Sequence, residues 1–362
     1  MRVARWVGCR LIFRGWRADL TGMRIFTIEI LCIRVPTGPL SPRWTRSSQL
    51  HMLDKRGQDI EMCVTWSNDP MKKLLIAFLF VMAVGNVGLA ESINVMTWNI
   101  RYNEPNDGVN AWPKRKDWVT EIIVNNKVDI AGFQEVLVGQ LEDLKARLPL
   151  MEAYGVGRDD GKDAGEFSPI FFRKERFELI DKSTLWLSPT PDKVASKGWD
   201  AALPRIASWV KLKDRQTGLV FYVINTHFDH RGVEARAESA ALLLKYRREK
   251  CTDHPVILTG DLNTTPSSPP YNVLTGNAVL TGNNAEVRPV FLDAYKRSEQ
   301  KPEGPDSTWN GFQAIVPDRR IDFVFTTPSV KVQKFKTLED QREGRFPSDH
   351  LPVVVQLELA KE

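Results

Sequence analysis

Beyond Glu91 the sequence predicts an α/β domain with a mixed or antiparallel sheet core flanked by helices. Three observations predict it. Short runs rich in Val, Ile and Phe recur along the whole stretch and read as strands. Longer helical runs are interspersed among them rather than gathered at one end. Several strand pairs are joined too briefly for a parallel crossover, which needs about a dozen residues.

In chain order the strands are Ile93–Trp98, Ile130–Phe133, Pro169–Phe172, Ala207–Leu212, Leu219–Asn225, Val256–Thr259, Ile321–Phe325 and Val353–Leu359. The helices are Trp118–Asn126, Val138–Leu148 and Ala235–Lys250. No repeat, low-complexity tract or linker interrupts 91–362, so these 272 residues are expected to form one domain with a sizeable core. Cys251 is the single cysteine there, which excludes an intramolecular disulfide in that domain. It is expected to pack near a helix end.

The first ninety residues differ in kind. Met71-Lys72-Lys73 precedes an uncharged run from Leu74 to Val84 and then Gly88-Leu89-Ala90, the order of a secretory signal peptide. Residues 71–90 are therefore expected to direct export, with a secreted or periplasmic mature chain starting near Glu91. Residues 1–70 carry Trp6, Trp16, Trp44 and Trp66, three cysteines and ten arginines, without a sustained helical or alternating period. They are expected to be a disordered extension produced by a start codon assigned too early. The rival reading, a cytoplasmic extension anchored by Leu74–Val84, needs a longer apolar run.

This division changes the electrostatics. The whole chain carries a net charge of +5, but residues 91–362 hold 37 basic and 39 acidic side chains. The basic balance belongs to the leading segment and is no argument for nucleic-acid binding.

Polar motifs stand at the ends of the strand-like runs, an arrangement that gathers distant residues into one site. Asn99 follows Val95-Met96-Thr97-Trp98, where its amide caps a turn or orients Glu135 and a phosphate oxygen. Glu135 ends the apolar run from Val128, and a hard oxygen ligand there suits Mg²⁺. His227 lies in Asn225-Thr226-His227, directly after the apolar strand Val220–Ile224, placed to donate to a phosphate oxygen, with His230 in a secondary or structural role. Asp261 and Asn263 follow Pro255–Thr259; strand alternation would point both the same way if the chain stays extended, and an Asx-rich turn is the other reading. Asp322 and the Ser348-Asp349-His350 segment complete the set, with Asp322 able to fix the tautomer of His350 for acid–base work. No cysteine or second histidine cluster completes a zinc site.

Taken in order, Thr97-Trp98-Asn99, Gln134-Glu135, Asn225-Thr226-His227, Gly260-Asp261-Leu262-Asn263, Arg320-Ile321-Asp322 and Ser348-Asp349-His350 resemble the endonuclease/exonuclease/phosphatase superfamily. Its members are metal-dependent phosphoesterases, DNase I-like nucleases, deadenylases, inositol polyphosphate 5-phosphatases and neutral sphingomyelinases among them. The resemblance implies a four-layered α/β sandwich of two packed sheets with the site at one edge. It implies Mg²⁺ (or Mn²⁺) held by Glu135, Asn99 and Asp349, His350 paired with Asp322, Asp261 and Asn263 on the attacking water and the phosphate, and His227 on the phosphate. Whether Asp261 or His350 takes the proton from water stays open.

Three loops outside this set carry an arginine or an aromatic side chain suited to a phosphate, base or sugar: those around Arg158, Arg205 and Trp309. They resemble loops of exported bacterial members of the superfamily. The expected activity is hydrolysis of phosphodiester bonds, endonuclease- or exonuclease-like and 3′–5′ exoribonuclease-like among the forms, by in-line attack of water. The alternative is a phosphomonoesterase or phospholipase-like phosphodiesterase on small or lipid phosphates. The partner is a phosphoester substrate of unresolved class, nucleic acid, nucleotide-like, sugar or lipid phosphate; no obligate protein partner is implied, and a monomer is expected.

Overall fold

The computed structural model describes residues 92–252, 254–277 and 291–359, together with four short strands before residue 66. The chain divides into two units, Met1–Val87 and Gly88–Glu362. In the first, Arg10–Phe13 pairs with Ile28–Leu31 and Ser47–Leu53 with Asp59–Thr65, both antiparallel. The leader expected at Met71–Ala90 lies outside the described residues. Among the described residues no helix is long and apolar enough to cross a membrane.

The second unit contains strands β1 (Ile93–Asn99), β2 (Ile130–Gln134), β3 (Met151–Tyr154), β4 (Ile170–Arg173), β5 (Phe177–Trp186), β6 (Ile206–Asp214), β7 (Val220–His227), β8 (Val256–Asp261), β9 (Leu292–Asp293), β10 (Asp322–Thr326), β11 (Val330–Thr337) and β12 (Val353–Leu359). Its helices are α1 (Lys116–Asn125), α2 (Val138–Arg147), α3 (Val233–Lys250), α4 (Pro269–Leu274) and α5 (Ala294–Arg297). The strands form two six-stranded sheets, ordered β9-β10-β8-β7-β6-β5 and β11-β12-β1-β2-β4-β3. The pairs β7–β8 and β1–β2 run parallel, and their neighbours antiparallel.

Central strands are apolar on both faces because both faces are covered. On β1, Ile93 and Val95 point between the sheets, where they meet Val223 and Ile257 of the other sheet. Met96 and Trp98 point outward beneath Val119 and Ile122 of α1 and Leu141 and Leu144 of α2. On the far side, α3 and α4 cover Ile224, Leu258 and Phe325 with Ala240, Leu243 and Tyr271. The result is helix, sheet, sheet, helix, the four-layered sandwich expected. Cys251 caps the end of α3 and is fully buried, also as expected.

Four strands escape a reading based on apolar runs: β3, β5, β9 and β11. All four are the outermost strands of their sheets. An edge strand presents one side to solvent and carries polar or charged residues that discourage further pairing. In β11, buried Val330, Val332 and Phe335 alternate with lysines, and a bulge between Val332 and Lys334 breaks the simple period.

Candidate active site

Sheet topology alone collects the polar motifs at one edge. Because β1 and β2 are parallel and in register at Asn99 and Gln134, Asn99 and Glu135 emerge together. Strand β12 runs antiparallel to β1 with Val353 opposite Thr97, which returns Ser348–His350 beside Asn99. There the Ser348 hydroxyl donates to the Asn99 carbonyl at 2.7 Å, and the Trp98 indole donates to the His350 carbonyl at 3.0 Å. In the other sheet His227 lies opposite Asp261, and Asp261 opposite Asp322. The two sheets are joined where the Asn99 amide donates to both Glu135 Oε1 and Asp261 Oδ2, each at 3.0 Å.

Each motif residue has a defined task in this edge. Both amide hydrogens of Asn99 are spent on the two carboxylates, and its Oδ1 accepts from the Arg101 N–H at 3.0 Å. The remaining Oδ1 lone pair is what Asn99 can offer a cation. Asp261 and Asn263 converge, but not by strand alternation: Asn263 has φ +47° and its N–H donates to Asp261 Oδ1 at 2.9 Å. The Asx turn and the paired site are thus one structure, since Asn adopts the left-handed region readily. Glu135 also turns there, at φ +60°, which re-aims its carboxylate as β2 ends. A non-glycine residue held so stores on the order of 1–3 kcal/mol, a cost that clusters at functional sites.

His350 Nδ1 lies 2.8 Å from Asp322 Oδ2, and its Nε2 faces Asp261 Oδ2 at 3.7 Å. Burial disfavours the imidazolium, but Asp322 and Asp261 outweigh it and raise the His350 pKa well above the ordinary value. Burial and the charge of Asp322 push Asp261 up to about 7. His227 differs: burial and the guanidiniums of Arg205 and Arg158 hold it well below its ordinary value, hence neutral. The Asn263 amide nitrogen sits 3.1 Å from the Phe228 carbonyl and 3.0 Å from His227 Nε2, so Nε2 accepts and the ring proton is on Nδ1. That Nδ1 faces Glu166 Oε2 at 3.7 Å. In this arrangement His227 orients Asn263.

A buried polar seam supports the edge from beneath. Gln134 Nε2 donates across the sheets to Asn225 Oδ1 at 2.7 Å, the Asn225 amide donates to the Phe133 carbonyl at 2.7 Å, and Thr259 Oγ1 donates to Asn225 Oδ1 at 3.0 Å. These buried hydrogen bonds fix the register of one sheet on the other, although Gln134 Oε1 has no partner among the described residues. The backbones approach closely here: a Cβ on Gly132 would lie 2.2 Å from Thr259 Oγ1.

The three loop residues sit differently from the centre. Arg158 and Arg205 are buried and each meets a carboxylate, Arg158 Glu166 at 2.9 Å and Arg205 Asp229 at 3.3 Å with His230 Nδ1 at 3.0 Å, while Arg158 Nε and Arg205 Nη1 have no hydrogen-bond partner among the described residues. Trp309 is partly buried, bridged to His350 through the backbone, with the Arg319 guanidinium 5.4 Å from its ring centroid.

Sequence reasoning passed over four residues that build the site. Glu166 sits beside both His227 and Arg158. Buried Arg115 donates to the carbonyls of Ile100, Arg101 and Pro347, tying the loop after β1 to the loop before β12. Asn310 donates to the Asp349 and Ser348 carbonyls at 2.8 and 3.0 Å. Arg101 lies between Asp107 and Glu135. None stands in an apolar-run-plus-polar-end pattern, the signal that exposes the others.

The carboxylates fit a divalent cation. Burial raises Asp349, and the Glu135 charge adds to that against the opposing pull of His350, so the two carboxylates lie close enough to act on one another. Asp322 Oδ1 is buried without a hydrogen-bond partner among the described residues. Ligating atoms of Asp261, Asp322 and His350 also lie within 4.8 Å of one another, although Nδ1 of that histidine is already engaged by Asp322. The donor set is hard oxygen with few nitrogens, which suits Mg²⁺ or Mn²⁺ better than zinc.

A sequence profile of the Endonuclease/Exonuclease/phosphatase family matches residues 96–350, from β1 to His350. The chain belongs to that family. Its members are hydrolases of phosphoesters, with divalent-metal dependence typical. A family structure from Bacteroides vulgatus is 42% identical, with a TM-score of 0.69 and coverage of 74% of this chain and 99% of that one. A mannosyl-6-phosphatase of Bacteroides thetaiotaomicron is 37% identical, with a TM-score of 0.67 and coverage of 74% and 99%. Among curated proteins, nocturnin of Drosophila melanogaster is 24% identical over 314 residues, 74% of this chain. The chain spans about half, 47%, of that relative's length.

Proposed function

We propose that residues 92–359 form a Mg²⁺-dependent phosphoric ester hydrolase acting by in-line attack of water. The observation that carries this reading is the continuous line Asp322–His350–Asp261–Asn99–Glu135, which couples an imidazole–carboxylate pair to a hard-oxygen cation site across two sheets. Glu135, Asn99 Oδ1 and Asp349 would hold the ion. When bound, it polarises a phosphoryl oxygen and screens the charge that repels the nucleophile.

The protein's own groups do the rest. Asp261 Oδ2, faced by Asn99, His227 and His350, takes the water proton, and Asn263 orients that water. His350, held through Nδ1 by Asp322, presents Nε2 to a phosphoryl oxygen as charge grows on it.

The finer assignment is a phosphomonoester of a small polyol or sugar, in preference to the phosphodiester that the motifs alone suggest. What supports it is the 37% identity, over 99% of its length, to a protein named as a mannosyl-6-phosphatase. The near-neutral balance of residues 91–362 agrees, since long polyanions demand a basic track. The test is a panel of a hexose 6-phosphate, an aryl phosphomonoester, an aryl phosphodiester, RNA and DNA, each with Mg²⁺ and with chelator. Turnover is expected to be highest on the monoesters and lost on chelation. RNA or DNA as the preferred substrate would reverse the finer assignment, and full activity under chelation would remove the metal.

A further inference from the structure

Arg101 is the first residue after β1 whose side chain could reach a substrate, and its conformation is fixed from several sides. Its backbone sits at φ +56°. Its N–H donates to Asn99 Oδ1 at 3.0 Å, and its carbonyl accepts from Arg115 Nη2 at 2.8 Å and Gln140 Nε2 at 2.9 Å. The guanidinium is fixed too: Nε and Nη2 donate to the Asp107 carboxylate at 3.0 and 3.3 Å, and Cζ stacks 4.3 Å from the centroid of the Tyr102 ring.

One side of the fork is left over. Nη1 makes no hydrogen bond among the described residues and lies 3.9 Å from Glu135 Oε2, the expected metal ligand, while the side chain is 24% exposed. Arg158 and Arg205 are buried on the His227 side of the site, facing Glu166 and Asp229; Arg101 is a partly exposed, pre-oriented cation beside Glu135.

We propose that Arg101 is a substrate-phosphate clamp, with Nη1 engaging a non-bridging oxygen of the phosphoryl group beside Glu135 and Asp107 acting as its positioning residue. The proposal rests on the phosphoesterase reading above and names a recognition element within it. A planar guanidinium held on one edge by a carboxylate loses little freedom on binding and matches phosphate geometry, which a lysine ammonium does not. A phosphomonoester dianion offers such a clamp more charge than a diester monoanion, so Arg101 favours monoesters.

The experiment uses the full chain in Mg²⁺ with inorganic phosphate as the probe, by calorimetry, beside kinetics on an aryl phosphomonoester and the matching diester. Arg101→Met is expected to weaken phosphate binding at least about tenfold and to lower kcat/KM more for the monoester than for the diester. Arg101→Lys should recover part of the phosphate affinity, as a charge without the fork. Asp107→Asn should raise KM while leaving kcat near wild type, which loss of a merely structural contact would not do selectively. Matching melting curves establish that the variants fold; where Arg101→Met does not, Arg101→Lys and Asp107→Asn carry the comparison. Phosphate affinity undetectable in the wild type, or unchanged in the folded variants, overturns the proposal. A wild type that binds phosphate through Arg101 but hydrolyses nothing in the panel would overturn the hydrolase reading and leave the clamp standing.

Discussion

Asp322 and His350 show how much a single pair carries at the residue scale. The carboxylate is fully buried, with one oxygen on the imidazole and the other without a hydrogen-bond partner among the described residues, so its environment is tolerable only while the histidine or a cation answers its charge. If the two act as one unit, His350→Ala should lower turnover on the order of 10²–10⁴-fold with the fold intact. Adding Asp322→Asn to that variant should cost little more, because the group it orients is gone. A soluble double mutant whose losses multiply in full would show that the two residues act independently.

At the scale of elements, the site depends on how closely β2 approaches β7 and β8. Gly132 allows that approach: an added Cβ would stand 2.2 Å from Thr259 Oγ1 and 2.6 Å from Asn225 Oδ1, both held in the polar seam. Neither neighbour can retreat without breaking its own buried hydrogen bond. Gly132→Ala should therefore lower stability by about 1–3 kcal/mol, as overpacking of a tight interior does. It should also lower activity, since the seam lies just below the Asn99–Asp261 contact that joins the sheets. Urea unfolding and turnover are the measurements; a midpoint equal to wild type would mean that the strands part easily here.

For the whole molecule, ion binding and folding are linked because the carboxylates that would hold the ion come from strands distant in sequence. Glu135, Asp349 and Asn99 meet only when β1, β2 and β12 are paired, so an ion that binds them stabilises the folded state alone. Mg²⁺ at about a hundredfold above its Kd should add roughly 2.7 kcal/mol, visible as a rise in Tm. Glu135→Gln should lose most of that rise. An equal Mg²⁺-dependent rise in the variant would place the ion elsewhere, the Asp261–Asp322–His350 cluster being the first place to look.

The sequence by itself determined the central strands, the main helices and the polar residues that meet at one edge of the sandwich, because each carries a local signature. Asn99, Glu135, His227, Asp261 and Asp322 are legible since a polar side chain at the end of an apolar run is anomalous wherever it occurs. The tertiary structure decided what has no local signature. The edge strands β3, β5, β9 and β11 are stabilised by one neighbour and look like solvated chain. The convergence of Asp261 with Asn263 came from a turn and not from alternation. Arg158 and Arg205 read as substrate arginines, and only packing shows that each also meets a carboxylate, Glu166 and Asp229, while Arg101, unremarkable in sequence, keeps Nη1 without a hydrogen bond among the described residues, 3.9 Å from Glu135. The physical reason is the same throughout: an apolar side chain declares its burial by its chemistry, whereas a charged one can be spent on a partner or kept for a ligand, and only the position of that partner in space decides which.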